Sequence, residues 1–120
     1  MDKMKNKLIR YMDAGFPLLY LNTFEEEKAE AIIRSIISGK SIIEWGICGF
    51  HDFKDNVQES DWTLPDTLQL LLKDPKILER KVIILKDMHY FLEDPSVIAR
   101  LKCLAQLIDK ELVDCNIVLL

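Results

Sequence analysis

Apolar and polar positions alternate along the chain in blocks of two kinds. Pro17-Leu-Leu-Tyr-Leu-Asn22 and Lys81-Val-Ile-Ile-Leu-Lys86 are short continuous apolar runs, the pattern of strands buried on both faces. Ser41-Ile-Ile-Glu-Trp-Gly-Ile47 and Cys115-Asn-Ile-Val-Leu-Leu120 read as two more strands. Between them the period lengthens to that of a helix. Ala29, Ile32, Ile33, Ile36 and Ile37 form one apolar stripe, with Glu30 and Arg34 as an i,i+4 pair on the wet side. Thr23-Phe-Glu-Glu26 fits a capping box that opens this helix, which runs to about Ser38 and ends at Gly39. Residues 3–13 predict a first helix, stopped near Gly15, with Leu8, Ile9 and Met12 on the side that packs against the domain.

The second half repeats this grammar. Asp52 to Trp62 is polar and reads as a loop. Thr63-Leu-Pro-Asp66 is a second capping signal, opening a helix through Leu72 that Pro75 breaks. Asp94-Pro95 pairs a cap with a proline at the first helical position. The helix that follows, to about Leu112, carries Val97, Ile98, Leu101, Leu104, Ala105 and Ile108 on its apolar face. The order α-β-α-β-α-β-α-β implies a single three-layer α/β domain over residues 1–120. Its sheet is expected to be four-stranded and mostly parallel, with helices on both faces.

Composition adds limits. A chain of 120 residues, 49% of them apolar, suits one domain with a real core. A net charge of −4 without a basic cluster argues against nucleic acid or a membrane surface as partner. No apolar run approaches the roughly 20 residues needed to span a bilayer. Cys48, Cys103 and Cys115 form no CxxC pair and read as reduced thiols, which points to a cytoplasmic protein. The chain ends on Ile117-Val-Leu-Leu120 with no polar tail, so an N-terminal fragment of a longer protein is expected.

Each chemical motif is incomplete. Gly39-Lys40-Ser41 matches the tail of a phosphate loop, but Arg34 holds the first glycine position. It also follows a helix and precedes a strand, the reverse of the required context. The turn where such a loop belongs, Asn22-Thr-Phe-Glu-Glu-Glu27, has neither glycine nor lysine. Its three carboxylates favour the helix dipole by about 0.3–1 kcal/mol each and repel a triphosphate. Val82-Ile-Ile-Leu85 followed by acids resembles the magnesium-holding strand of nucleotide hydrolases, yet its first acidic position is Lys86. A cation cannot ligate magnesium. Asp87, at the second position, is the sole catalytic candidate, and Thr23, Lys86, Asp87 and His89 outline at most a remnant cleft. Asp87, His89, Glu93 and Asp94 are metal-ligand types, but one histidine among surface carboxylates makes a poor set, so no metal site is assigned. His51-Asp52 is a loop pair without diagnostic spacing. Phe50, Phe53 and Trp62 flank the polar loop as a possible interaction patch.

Two blocks resemble a known family. Residues 11–28, Tyr-Met-Asp-Ala-Gly-Phe-Pro-Leu-Leu-Tyr-Leu-Asn-Thr-Phe-Glu-Glu-Glu-Lys, resemble the "RYPLIYLVTxEExR" line that opens certain bacterial and plastid-encoded AAA+ ATPases. Residues 82–97 resemble their "hhLKDhHxFLxDPxV" pattern, departing only at Met88 and Tyr90. In that family the region is a degenerate P-loop-like N-terminal domain ahead of the working AAA+ module. The resemblance implies a strand order 1-4-3-2, the last strand lying between first and third, and no ATP-binding residue in this chain. It further implies a non-enzymatic assembly, regulatory or partner-docking domain. Its partners would be its own AAA+ module, other subunits of a homo-oligomer, or another protein. ATP and magnesium would belong to the parent, and no cofactor to this chain. The alternative is a small stand-alone doubly wound enzyme, with a site at the C-terminal strand ends around Thr23, Cys48, Asp87 and His89.

Overall fold

The computed structural model describes residues 6, 10, 18–20, 26–36, 39–47, 49–52, 57–59, 62–110 and 114–120, with backbone alone for 26, 27, 36, 57 and 58. The helix expected over 3–13 and the Thr23 capping box lie outside these residues, apart from Asn6 and Arg10, which are helical.

Three helices and six strands are described. The strands are β1 (Leu18–Tyr20), β2 (Ser41–Gly46), β3 (Gly49–Asp52), β4 (Val57–Glu59), β5 (Lys81–Leu85) and β6 (Cys115–Leu119). The helices are α1 (Glu26–Ile36), α2 (Leu64–Lys73) and α3 (Pro95–Asp109). Short 3-10 turns cover Pro75–Leu78 and Met88–Tyr90.

All strands join one sheet in the order β1-β6-β5-β2-β3-β4. The β1, β6, β5 and β2 strands pair in parallel, and β6 sits between β1 and β5. The expected four-stranded sheet with order 1-4-3-2 is therefore corrected to six strands. The stretch read as a loop supplies β4 and the end of β3, which extend the sheet beyond β2 in antiparallel pairing. Gly46 pairs with Gly49, whose φ of +118° suits a residue without Cβ and closes a tight hairpin.

Every residue of β5 and β6 is buried, in keeping with their continuous apolar runs, whereas the same expectation for β1 is corrected: as an edge strand it buries Leu19 and leaves Tyr20 exposed. The alternate side chains of β5 and β6 feed two separate cores. On one face Ile83, Leu85, Ile117 and Leu119 meet Leu64, Leu68 and Leu71 of α2 and Val97, Leu101 and Leu104 of α3. On the other, Val82, Ile84 and Val118 meet Ala29, Ile32 and Ile33 of α1. The layers are thus helix, sheet, helix. Each fully buried aliphatic side chain contributes about 1.5–3 kcal/mol relative to exposure.

The helix signals are realised locally. Thr63 Oγ1 accepts from the Asp66 N–H at 3.2 Å, and an Asp94 carboxylate oxygen accepts from the Ser96 N–H at 2.9 Å. Gly39, at φ +73°, takes the left-handed turn before β2. The aromatic patch expected around Phe50 and Trp62 is corrected: Phe50 is buried against the Trp62 ring at 4.7 Å, and Trp45 Nε1 donates to the Trp62 carbonyl at 2.8 Å. Phe53 lies outside the described residues.

Candidate functional site

The parallel strands carry their C-terminal ends to one edge of the sheet, where Lys86, Asp87 and His89 follow β5. The period-two alternation of β5 decides where Lys86 goes. It continues the Val82 and Ile84 face, beneath α1, and Glu44 continues the Ile42 face of the neighbouring β2. From α1 come Glu30 and Arg34, one turn apart.

These four side chains close into an alternating network. Lys86 Nζ lies 2.8 Å from Glu30 Oε2 and 2.6 Å from Glu44 Oε1. Arg34 Nη2 donates to Glu30 Oε1 at 2.8 Å and to Glu44 Oε2 at 3.2 Å. The expected Glu30–Arg34 pair is present and Arg34 is exposed, but Glu30 is corrected to a partly buried position, with only 14% of its side chain exposed.

Proximity sets the two carboxyls apart. Burial raises the Glu44 pKa, and a hydrogen bond to Glu30 raises it further against the pull of Lys86. Burial also pushes Glu30 up, but hydrogen bonds from Glu44, Lys86 and Arg34 outweigh it and bring Glu30 to about 2. On acidification the pair takes its first proton at Glu44. Burial disfavours the Lys86 charge, yet hydrogen bonds to Glu30 and Glu44 outweigh it and raise its pKa.

Asp87 has a backbone role. It sits in the left-handed region at φ 61° and ψ 26°, which aspartate tolerates better than most residues. Its Oδ2 accepts the Ile47 N–H at 3.1 Å and its carbonyl accepts the Tyr90 N–H at 3.2 Å. His89 is exposed, its ring 4.0 Å from that of Tyr90. Thr23 and Cys48 lie outside the described residues. Asp94 is engaged in capping α3. Among the described residues no three His, Cys, Asp or Glu side chains converge on a metal position.

At the opposite edge, Lys40 of the Gly-Lys-Ser tripeptide is held by Asn116 Oδ1 at 2.6 Å and by Asp114 at 3.0 Å. Asp52 and Lys81 form a buried ion pair at 3.4 Å, with side chains 8% and 6% exposed. Neither Glu44 nor the Asp52–Lys81 pair was singled out by motif. The available signal is a charged residue inside an apolar strand, which requires a partner when buried.

The family model for the SpoVK-like AAA ATPase N-terminal domain matches residues 4–120. The chain belongs to this family. Two curated relatives carry the name uncharacterized AAA domain-containing protein ycf46. The one from Guillardia theta is 32% identical over 79% of this chain and 19% of its own length. The one from Trieres chinensis is 29% identical over 88% of this chain and 22% of its own length. The SpoVK-like N-terminal domain thus spans about a fifth of the relatives it matches. No solved structure matches it significantly. Among its described residues no helix is long and apolar enough to cross a membrane.

Proposed function

We propose that this SpoVK-like N-terminal domain performs no ATP chemistry itself and serves the AAA ATPase that carries it through protein contacts. Assembly, regulation and partner docking are the roles this covers, with the AAA module of the same chain and other subunits as partners. ATP and magnesium belong to the parent's catalytic module.

The observation that carries this reading is the bonding of Lys86. It occupies the strand-end position where a magnesium-ligating acid would stand, and among the described residues both its ion-pair partners are carboxylates. A cation held this way neither binds magnesium nor presents a free charge to a phosphate. The sequence after β1 supplies no glycine or lysine to replace it. The sheet is accordingly read as a P-loop-like frame without its nucleotide groups. The stand-alone enzyme alternative gains no support from Asp87, whose Oδ2 accepts the Ile47 N–H and so serves the turn. A reducing, cytoplasmic setting agrees with the free thiols of Cys103 and Cys115, the latter pushed up to about 12 chiefly by burial.

Calorimetric titration of the 120-residue chain with ATP, with magnesium and then with chelator, tests the reading. No binding heat at millimolar ATP is expected. Magnesium-dependent binding would overturn it.

A further inference from the structure

All three large apolar side chains that the described residues expose lie at one end of the sheet. Tyr20, 49% exposed, closes β1; Ile47, 64% exposed, follows β2; Tyr90, 69% exposed, closes the 3-10 turn after β5. Parallel pairing of β1, β6, β5 and β2 brings these positions to the same edge. Two strands, β6 and β5, separate Tyr20 from Ile47, so the three side chains are spread along this edge rather than in contact; apolar exposure confined to one edge is the feature that marks it as an interaction surface.

Two of the three are fixed in position. Asp87 accepts the Ile47 N–H through its carboxylate and the Tyr90 N–H through its carbonyl. The next residue, Met88, donates its N–H to the Leu120 carbonyl at 3.1 Å, and the Leu120 N–H donates to Leu85 at 2.9 Å. The turn that displays Tyr90 is therefore fastened to residue 120 itself.

We propose that this edge, displaying Ile47, Tyr90 and Tyr20, docks the AAA module that continues the parent chain beyond residue 120. The proposal rests on the reading that a longer ATPase carries this domain. The match covers 19% and 22% of the two relatives, leaving about four fifths of such a chain to be placed against or beside the domain. Leu120 follows β6 between β1 and β5, so a continuation of the chain starts at this same edge. A tethered partner acts at an effective concentration of order millimolar, so a modest apolar contact suffices to hold it. The matching surface of the module is expected to be apolar or aromatic.

Amide hydrogen exchange read by mass spectrometry tests this on the intact parent and on the 120-residue chain. Peptides spanning 46–50 and 86–92 are expected to exchange at least about tenfold slower in the intact parent, since docking removes them from solvent. The double variant Ile47→Ser, Tyr90→Ser in the intact parent is expected to restore fast exchange there and leave the β5 and β6 amides protected. That comparison within the parent stands even if the isolated chain folds poorly. Equal exchange in wild type and variant parent would overturn the proposal. Slowing that appears only at high protein concentration would also overturn it, by making a second copy the occupant. ATP binding by the isolated chain would sink the non-catalytic reading yet leave this comparison intact.

Discussion

Lys86 and Arg34 together keep two partly buried carboxylates from repelling each other, and the pH behaviour of the network follows from these contacts. The folded pKa of Glu44 is raised, so its contribution is fully present below the unfolded value near 4.5 and is lost as pH rises through the folded value. The folded pKa of Glu30 is lowered to about 2, so its contribution is present above 4.5 and is lost as pH falls toward 2. The two trends meet, and the network stabilises most near pH 4.5. Urea unfolding followed from about pH 7 to about pH 3 is expected to show stability rising and then falling. Glu44→Gln is expected to abolish the rise and keep the fall. Lys86→Met is expected to cost about 1–3 kcal/mol with Glu44 ionised, and less at a pH low enough to protonate Glu44. A cost equal at both pH values would dissociate Lys86 from Glu44. The sequence made legible that Lys86 cannot ligate magnesium. Its partners were not legible, because Glu44 and Glu30 reach it across two other elements rather than at a fixed spacing.

The elements with a local cause were legible, and the hairpin that lacks one was not. β5 declares itself by five consecutive buried positions, and α2 and α3 by their caps. In β3 the buried register holds Phe50 and Asp52, and a charge in a buried position reads as a loop. The charge is tolerated because Lys81, at the start of β5, reaches over β2 to meet it. Removing one partner strands a buried ion. Asp52→Leu is therefore expected to destabilise by about 3–5 kcal/mol, whereas Asp52→Leu with Lys81→Met is expected to recover most of that loss. A double-mutant cycle by chemical denaturation measures the difference. Two single losses that simply add would mean that the pair does not hold the hairpin.

At the scale of the whole molecule, one sheet is shared by two cores, and the question is whether they are one cooperative unit. The α1 core is the smaller, built from Ala29, Ile32 and Ile33 against Ile42, Val82, Ile84 and Val118. The α2–α3 core has more side chains and both its helices. Because β5 and β6 are buried on both faces, neither helix layer can leave without exposing the central strands to water. That coupling predicts a single unfolding transition. Ile33 and Ile83 are both fully buried, in opposite cores. Ile33→Val and Ile83→Val are each expected to cost about 0.5–1.5 kcal/mol. The double variant should lose their sum to within about 0.5 kcal/mol, since the sheet separates the two sites. The denaturant dependence should be the same in all four proteins, because each exposes the same surface on unfolding. If α1 instead melted ahead of the sheet, Ile33→Val would split the transition or lower that dependence, and Ile83→Val would not. Circular dichroism and tryptophan fluorescence distinguish these outcomes. Trp45 lies in the α2–α3 core, so its emission would lag the loss of helix only if the layers unfold separately.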